Sequence, residues 1–181
     1  VYEDNLIENL SKKAMHDALT HLPNRSYLES FLTYKLSEYQ QFGQKFAVLF
    51  ADIDHFRAFN NTYGHDVGDI VLKDIAKGIS HIIKKNDMFG RWGGEEFVGI
   101  FNLNRDYEAS VIAERIRRLV ENTVITTPNG QELEVTISVG VTIVRQDDSL
   151  NSIVKRADQL MYQSKDNGRN KVTSDVSAED G

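Results

Sequence analysis

Acidic residues occur in this sequence at places where acids are poor structural choices. Asp52-Ile53-Asp54 ends the apolar run FAVLFA, and residues i and i+2 of a strand share a face. Two carboxylates so placed repel each other unless a cation sits between them or one takes a proton. With no cysteine in the chain, oxygen ligands suit Mg2+ or Mn2+ rather than zinc. The structural alternative is a pair of solvated acids in which Asp54 caps the next helix. A second pair, Glu95-Glu96, follows Gly93-Gly94. Two glycines permit a tight hairpin turn, and glutamate is a weak strand former. In a regular strand Glu95 and Glu96 point to opposite faces, so at most one shares a cation with Asp52.

Two more groups invite chemistry. The segment 56–69, FRAFNNTYGHDVGD, places Asn60, His65 and Asp69 near the start of an apolar helix, where anions and caps both fit. Asp66 as the N-cap, and His65 as a capping or packing side chain, are the structural readings. The segment 165–169, KDNGR, puts Lys165 and Arg169 at a helix C-terminus. Cations there complement the helix dipole, and the same pair can bind phosphate.

The elements that carry these residues follow from hydrophobic period and turn signals. Residues 1–16 read as a polar helix, either docked on its own domain or serving as the end of a linker from an upstream module. Residues 17–25 form a polar turn. A helix follows with Tyr27, Leu28, Phe31, Leu32 and Leu36 at helical spacing, ended by Gly43. The run before Asp52 predicts a strand buried on both faces. Residues 66–84 predict an amphipathic helix, and 88–101 a hairpin around Gly93-Gly94. A helix over 107–121, a turn at 128–130 and a long strand over 134–144 come next. Then follow a helix over 149–164 and a short strand at 171–173. Residues 174–181 read as a disordered acidic tail.

The chain has 181 residues, enough for one domain with its own core. Lys and Arg number 21 against 27 Asp and Glu, a net charge of −6. That balance argues against gripping a long nucleic acid, though not against one nucleotide held through metal ions. The lack of cysteine excludes disulfide scaffolds, thiolate zinc sites and cysteine nucleophiles. Neither GxGxxG nor GxxxxGK[ST] is present. The element order predicts an α/β (α+β) domain with a mixed sheet flanked by helices, because the hairpin excludes a purely parallel layout.

Five blocks, DALTHLPNR, ADIDHFRAFNNTYGHDVGD, GRWGGEEF, VTISVGV and ADQLMYQSKDNGRN, together resemble the ordered motifs of GGDEF-domain diguanylate cyclases. The likeness spans residues 17–172, and the catalytic domain is taken as 17–173. It implies a fold similar to nucleotidyl-cyclase and polymerase palm domains, with the hairpin carrying GGEEF. It also implies condensation of two GTP into cyclic di-GMP with release of pyrophosphate. The resemblance assigns metal binding to Asp52, the Ile53 carbonyl and Glu95, for Mg2+ or Mn2+. It assigns catalysis to Glu95, Glu96 and Arg57, and substrate binding to Asn60, His65, Asp69, Lys165 and Arg169. Glu95 is in addition the expected acceptor of the 3′-hydroxyl proton.

Guanine offers two adjacent N–H donors that one carboxylate, Asp69, can accept; adenine offers an acceptor there instead. A two-fold symmetric product needs two domains face to face, so a transient homodimer is expected. An upstream sensory or regulatory module and a cytoplasmic setting, with a parent protein open to membrane anchorage, complete the expectation.

Four positions depart from the family pattern, one of them Asn61, which replaces the acid common beside Asn60. Lys84 stands where the product-inhibition motif RxxD has arginine, with Asp87 retained. Lysine lacks the bidentate fork, so weak product inhibition is expected. Arg57 replaces lysine, and Trp92 replaces tyrosine. The competing reading is a catalytically silent module that binds GTP or cyclic di-GMP and acts through partners.

Overall fold

In this computed structural model, residues 5–6 and 14–176 are described. In chain order the elements are α1 (Arg25–Phe42), β1 (Phe46–Ile53), α2 (Phe56–Tyr63), α3 (His65–Ser80), β2 (Met88–Gly93), β3 (Glu96–Asn102), α4 (Glu108–Glu121), β4 (Ile125–Thr126), β5 (Glu132–Leu133), β6 (Ile137–Ile143), α5 (Leu150–Asp166) and β7 (Val172–Ser174). Five strands form one sheet in the order β2–β3–β1–β6–β7. β1 pairs antiparallel with β3 and β6, while β6 and β7 run parallel. The sheet is therefore mixed, as the hairpin required.

β1 is apolar up to Ala51 because both faces are covered, and all eight of its residues, Asp52 included, are buried. Phe46, Val48 and Phe50 pack with Leu28 and Leu32 of α1 and with Ile153, Ala157 and Met161 of α5. Ala47, Leu49, Ala51 and Ile53 pack with Val71, Ile75 and Ile79 of α3 and Ala113, Ile116 and Val120 of α4. Each fully buried Val, Leu, Ile, Phe or Met side chain among them contributes ~1.5–3 kcal/mol. The two-residue period continues to the strand end, so Asp52 emerges on the α1/α5 face.

α5 lies unusually close to the sheet. A Cβ on Gly140 of β6 would fall 2.2 Å from the Ala157 carbonyl oxygen and 2.3 Å from Met161 N. Glycine at 140 thus allows backbone-to-backbone contact, and one turn past Met161 the same helix face presents Lys165. α5 starts at a reciprocal cap in which Ser149 and Ser152 each bond the other's backbone N–H. α1 starts at Asn24, whose side chain accepts from Tyr27 N, and stops at Gly43 with φ +74°.

The structure differs from the sequence reading in four places. Residues 56–63 form a separate helix, α2, and α3 ends at Ser80 rather than 84. Asp54 and Asp66 are not N-caps: α2 follows His55, and α3 follows Gly64 with Asp66 inside its first turn. The strand expected over 134–144 shortens to β6, and Glu132–Leu133 pairs instead with Ile125–Thr126. The tail was expected to begin at 174, but Ser174 closes β7 and Asp175 accepts from Thr142 Oγ1 at 3.0 Å and Arg145 Nη2 at 2.7 Å. Of the helix expected over 1–16, residues 5–6 and 14–15 are helical; the rest, except His16, and residues 177–181 lie outside the described residues.

Candidate active site

The register brings the acids together. Asp52 lies opposite Glu96 on β3 and Ser138 on β6, and directly opposed residues share a face. α5 supplies a cation: Lys165 Nζ donates to Asp52 Oδ1 at 2.8 Å. Burial pushes the Asp52 carboxyl up; Lys165 opposes this, the charges of Glu95 and Asp54 reinforce it, and the net shift is upward. Glu96 is also raised, first by burial and then by the charges of Asp52, Asp158 and Glu95, against Lys165. One ammonium therefore faces a group of carboxylates that exceeds its charge.

Glu95 reaches this group because the hairpin is irregular. The pairing shifts between Arg91 and Gly93, and Gly94 takes φ +41°. Glu95 falls outside β3, and its carbonyl accepts from Ile53 N at 3.2 Å. The opposite-face rule for consecutive residues does not apply across such a turn. Arg91 braces the turn: its Nε donates to the Gly94 carbonyl at 2.9 Å and its Nη1 to Asp17 at 3.2 Å. Asp17 also accepts from Thr20 N and Oγ1, both at 2.8 Å. Burial opposes ionisation of Asp17, but these bonds from Thr20 and Arg91 hold its carboxyl below the usual range. Trp92 lies under the Arg25 guanidinium, 4.2 Å from the ring centroid.

Asp54 has a different part from Asp52. It lies past the end of β1 and accepts from Thr136 Oγ1 at 2.7 Å, Ser138 Oγ at 2.6 Å and Asn170 N at 3.0 Å. Its lone pairs are committed to protein donors, so it holds structure while Asp52 stays available.

A second group lies where α2 meets α3. Asn60 Oδ1 is buried without a hydrogen-bond partner, a costly condition that a ligand donor would relieve. It sits so close to Gly68 that a Cβ there would fall 1.9 Å from it. Asp69, beside Gly68, and His65, the first residue of α3, are exposed. Arg57 on α2 and Arg169 after α5 are exposed as well. Thus Asp52, Glu95, Glu96 and Lys165 converge, Asn60 and Asp69 neighbour each other through Gly68, and Arg57, His65 and Arg169 face solvent.

The acid group fits a hard divalent cation. Its donors are carboxylate oxygens, its charge is uncompensated, and no thiolate competes. Among the described residues no three Asp, Glu, His or Cys side chains alone could hold a metal ion. Backbone, water or ligand oxygens must complete the shell, which is the habit of Mg2+ at phosphate sites.

Sequence reasoning missed several supporting residues. Asp17 and Arg91 are 74 positions apart, and nothing local pairs them. Arg115 of α4 lines a cavity of about 180 Å3 together with Lys84, Asp87, Ile82, Ile83 and Glu108. Its position on the α4 face was the only available signal.

Fold and site together define an α+β domain with a carboxylate group at the sheet's strand ends, braced by a Gly-Gly hairpin. Residues 14–171 match the family described as diguanylate cyclase, GGDEF domain, and the chain belongs to that family. It is 40% identical over 189 aligned positions to diguanylate cyclase A of Treponema denticola, covering 95% of this chain and 51% of that protein. Identity to response regulator PleD of Caulobacter vibrioides is 39%, over 94% of this chain and 39% of that one. Among solved structures, the coiled coil and GGDEF domain of DgcB from Caulobacter crescentus, in complex with c-di-GMP, superposes with TM-score 0.91 at 30% identity, covering 96% of this chain and 92% of that one. Diguanylate cyclase SiaD of Pseudomonas aeruginosa, bound to its activator SiaC, gives TM-score 0.87 at 35% identity, covering 96% and 66%. The chain spans about half or less of the length of the two curated relatives.

Proposed function

We propose that this domain condenses two GTP molecules into cyclic di-GMP and releases two pyrophosphates. The observation that carries the reading is the convergence of Asp52, Glu95 and Glu96 at the strand ends, with Lys165 bonded to Asp52, in a chain of this family. In each half-reaction the 3′-hydroxyl oxygen of one GTP bonds to the α-phosphorus of the other. The bond to pyrophosphate breaks, and the hydroxyl proton passes to Glu95. Asp52, the Ile53 carbonyl and Glu95 would hold Mg2+ or Mn2+, which when bound offsets charge on the phosphates. Lys165 and Arg169 bind phosphate oxygens, and Arg57 and Glu96 complete the reacting group. Asn60 and Asp69 read guanine, and His65 lines the substrate site.

One domain holds one GTP, so turnover needs a second copy presented by two-fold symmetry. An upstream module would raise the encounter frequency. No helix among the described residues is long and apolar enough to cross a membrane, in keeping with a cytoplasmic domain whose parent is open to anchorage. With Lys84 for arginine, the cavity that also holds Asp87 and Arg115 should bind product weakly. Micromolar-or-tighter cyclic di-GMP binding that Lys84→Ala abolishes would overturn that point. The activity is tested by supplying GTP with Mg2+ and assaying for pyrophosphate and a cyclic dinucleotide. A folded protein that binds GTP and forms neither would favour the silent module.

A further inference from the structure

The loop after α5 takes a backbone course that side chains resist. Gly168, Arg169 and Asn170 have φ of +113°, +64° and +48° in succession. Glycine adopts this region freely and asparagine with modest difficulty, but arginine does not. The Arg169 N–H closes the helix end on the Ser164 carbonyl at 2.9 Å. Its exposed guanidinium has no hydrogen bond or ion pair among the described residues, so it does not hold its own backbone.

Asn170 does the holding. Its N–H donates to Asp54 Oδ2 at 3.0 Å. Its Oδ1 accepts from Arg117 Nη1 at 2.7 Å, and its Nδ2 donates to Glu121 Oε2. These anchors come from the end of β1 and from α4. Asp54 is itself fixed by Thr136 and Ser138 and lies two residues from Asp52. One chain of hydrogen bonds thus runs from the Asp52 strand end to the residue beside Arg169. We infer that Asn170 is a positioning residue for the nucleotide's phosphates: it fixes where the Arg169 guanidinium stands relative to Asp52 and Lys165. This rests on the nucleotide reading above. Asn170 itself touches no reacting atom, and its effect should appear only where phosphates are bound.

The test compares two probes by calorimetry: guanosine 5′-[α,β-methylene]triphosphate, which cannot lose pyrophosphate, and guanosine, which has no phosphate. Asn170→Gly keeps the backbone freedom and removes the side-chain anchors. Its affinity for the triphosphate should fall about tenfold, with guanosine binding unchanged. Combined with Arg169→Ala it should cost little beyond Arg169→Ala alone, because both act through one guanidinium. Arg117→Met, which leaves the loop sequence intact, should show the same pattern at about threefold. Unchanged triphosphate affinity in both variants would overturn the inference. So would equal losses for both probes, or losses that multiply in the double variant. If the unmodified protein binds guanosine but gains nothing from the triphosphate, the inference fails at Arg169. If it binds neither probe, the nucleotide reading falls and takes the inference with it.

Discussion

Asp158 projects from α5 toward the acid group with its Oδ1 buried and unpartnered. Burial raises its pKa, so the folded state holds the proton more tightly than the unfolded chain. Ionisation therefore costs folding stability, and that cost grows as pH rises from the ordinary aspartate range through the raised value. Asp158→Asn should raise Tm by a few degrees at neutral pH, and the gain should vanish in acid, where both side chains are neutral. A lower Tm at neutral pH would show a favourable role for the charge. Specificity is a residue-scale matter too. Asp69→Ala should cut the preference for GTP over ATP about tenfold, the equivalent of ~1.4 kcal/mol, in the range of a lost hydrogen bond to a charged group. Relative kcat/KM for the two nucleotides measures this directly, and an unchanged ratio would remove Asp69 from base reading.

Two glycines set the spacing of whole elements. Gly140→Ala would drive a Cβ into the Ala157 and Met161 backbone, lifting α5 from β6 and Lys165 from Asp52. Such overpacking against backbone should cost about 3 kcal/mol or more in denaturant unfolding; a cost near zero would mean that α5 shifts freely. Gly68→Ala instead displaces the Asn60 side chain, so KM for GTP should rise while Tm changes little. Much of this scale was legible beforehand. β1 declared itself by an unbroken apolar run, α1 by its period and its glycine stop, and the hairpin by Gly93-Gly94. α2 was not, because Asn60, Asn61 and Thr62 have weak helix propensity and only Phe56 and Phe59 mark its inner face. The closeness of Asp52 and Asp54 was legible, and the Asp54 charge does act on Asp52; what the i, i+2 rule could not show is that Thr136, Ser138 and Asn170 take up the Asp54 oxygens. Lys165 on Asp52 and Arg91 on Asp17 are long-range contacts that only the fold creates.

At the scale of the whole molecule, a charged clasp joins distant segments. Arg156 donates to both Asp148 oxygens, at 2.8 and 2.7 Å, and to Thr142, which in turn donates to Asp175. Burial disfavours the Asp148 anion, yet Arg156, Ser152 and the Arg145 N–H hold its pKa below the ordinary value. Its contribution to stability is present above the ordinary aspartate range and is lost as pH falls through the lowered value. Asp148→Asn should therefore lower Tm at neutral pH and converge with the unmodified protein in strong acid. If two copies must meet, as proposed, specific activity should climb with protein concentration. A proven monomer with constant turnover would contradict that. The most direct measurement follows purified protein with GTP and Mg2+, alongside Glu95→Ala of matched Tm. Two pyrophosphates should appear for each cyclic dinucleotide, with both products absent in the variant. Intact GTP at every protein concentration, or equal turnover by the variant, would contradict a cyclase built on Asp52 and Glu95.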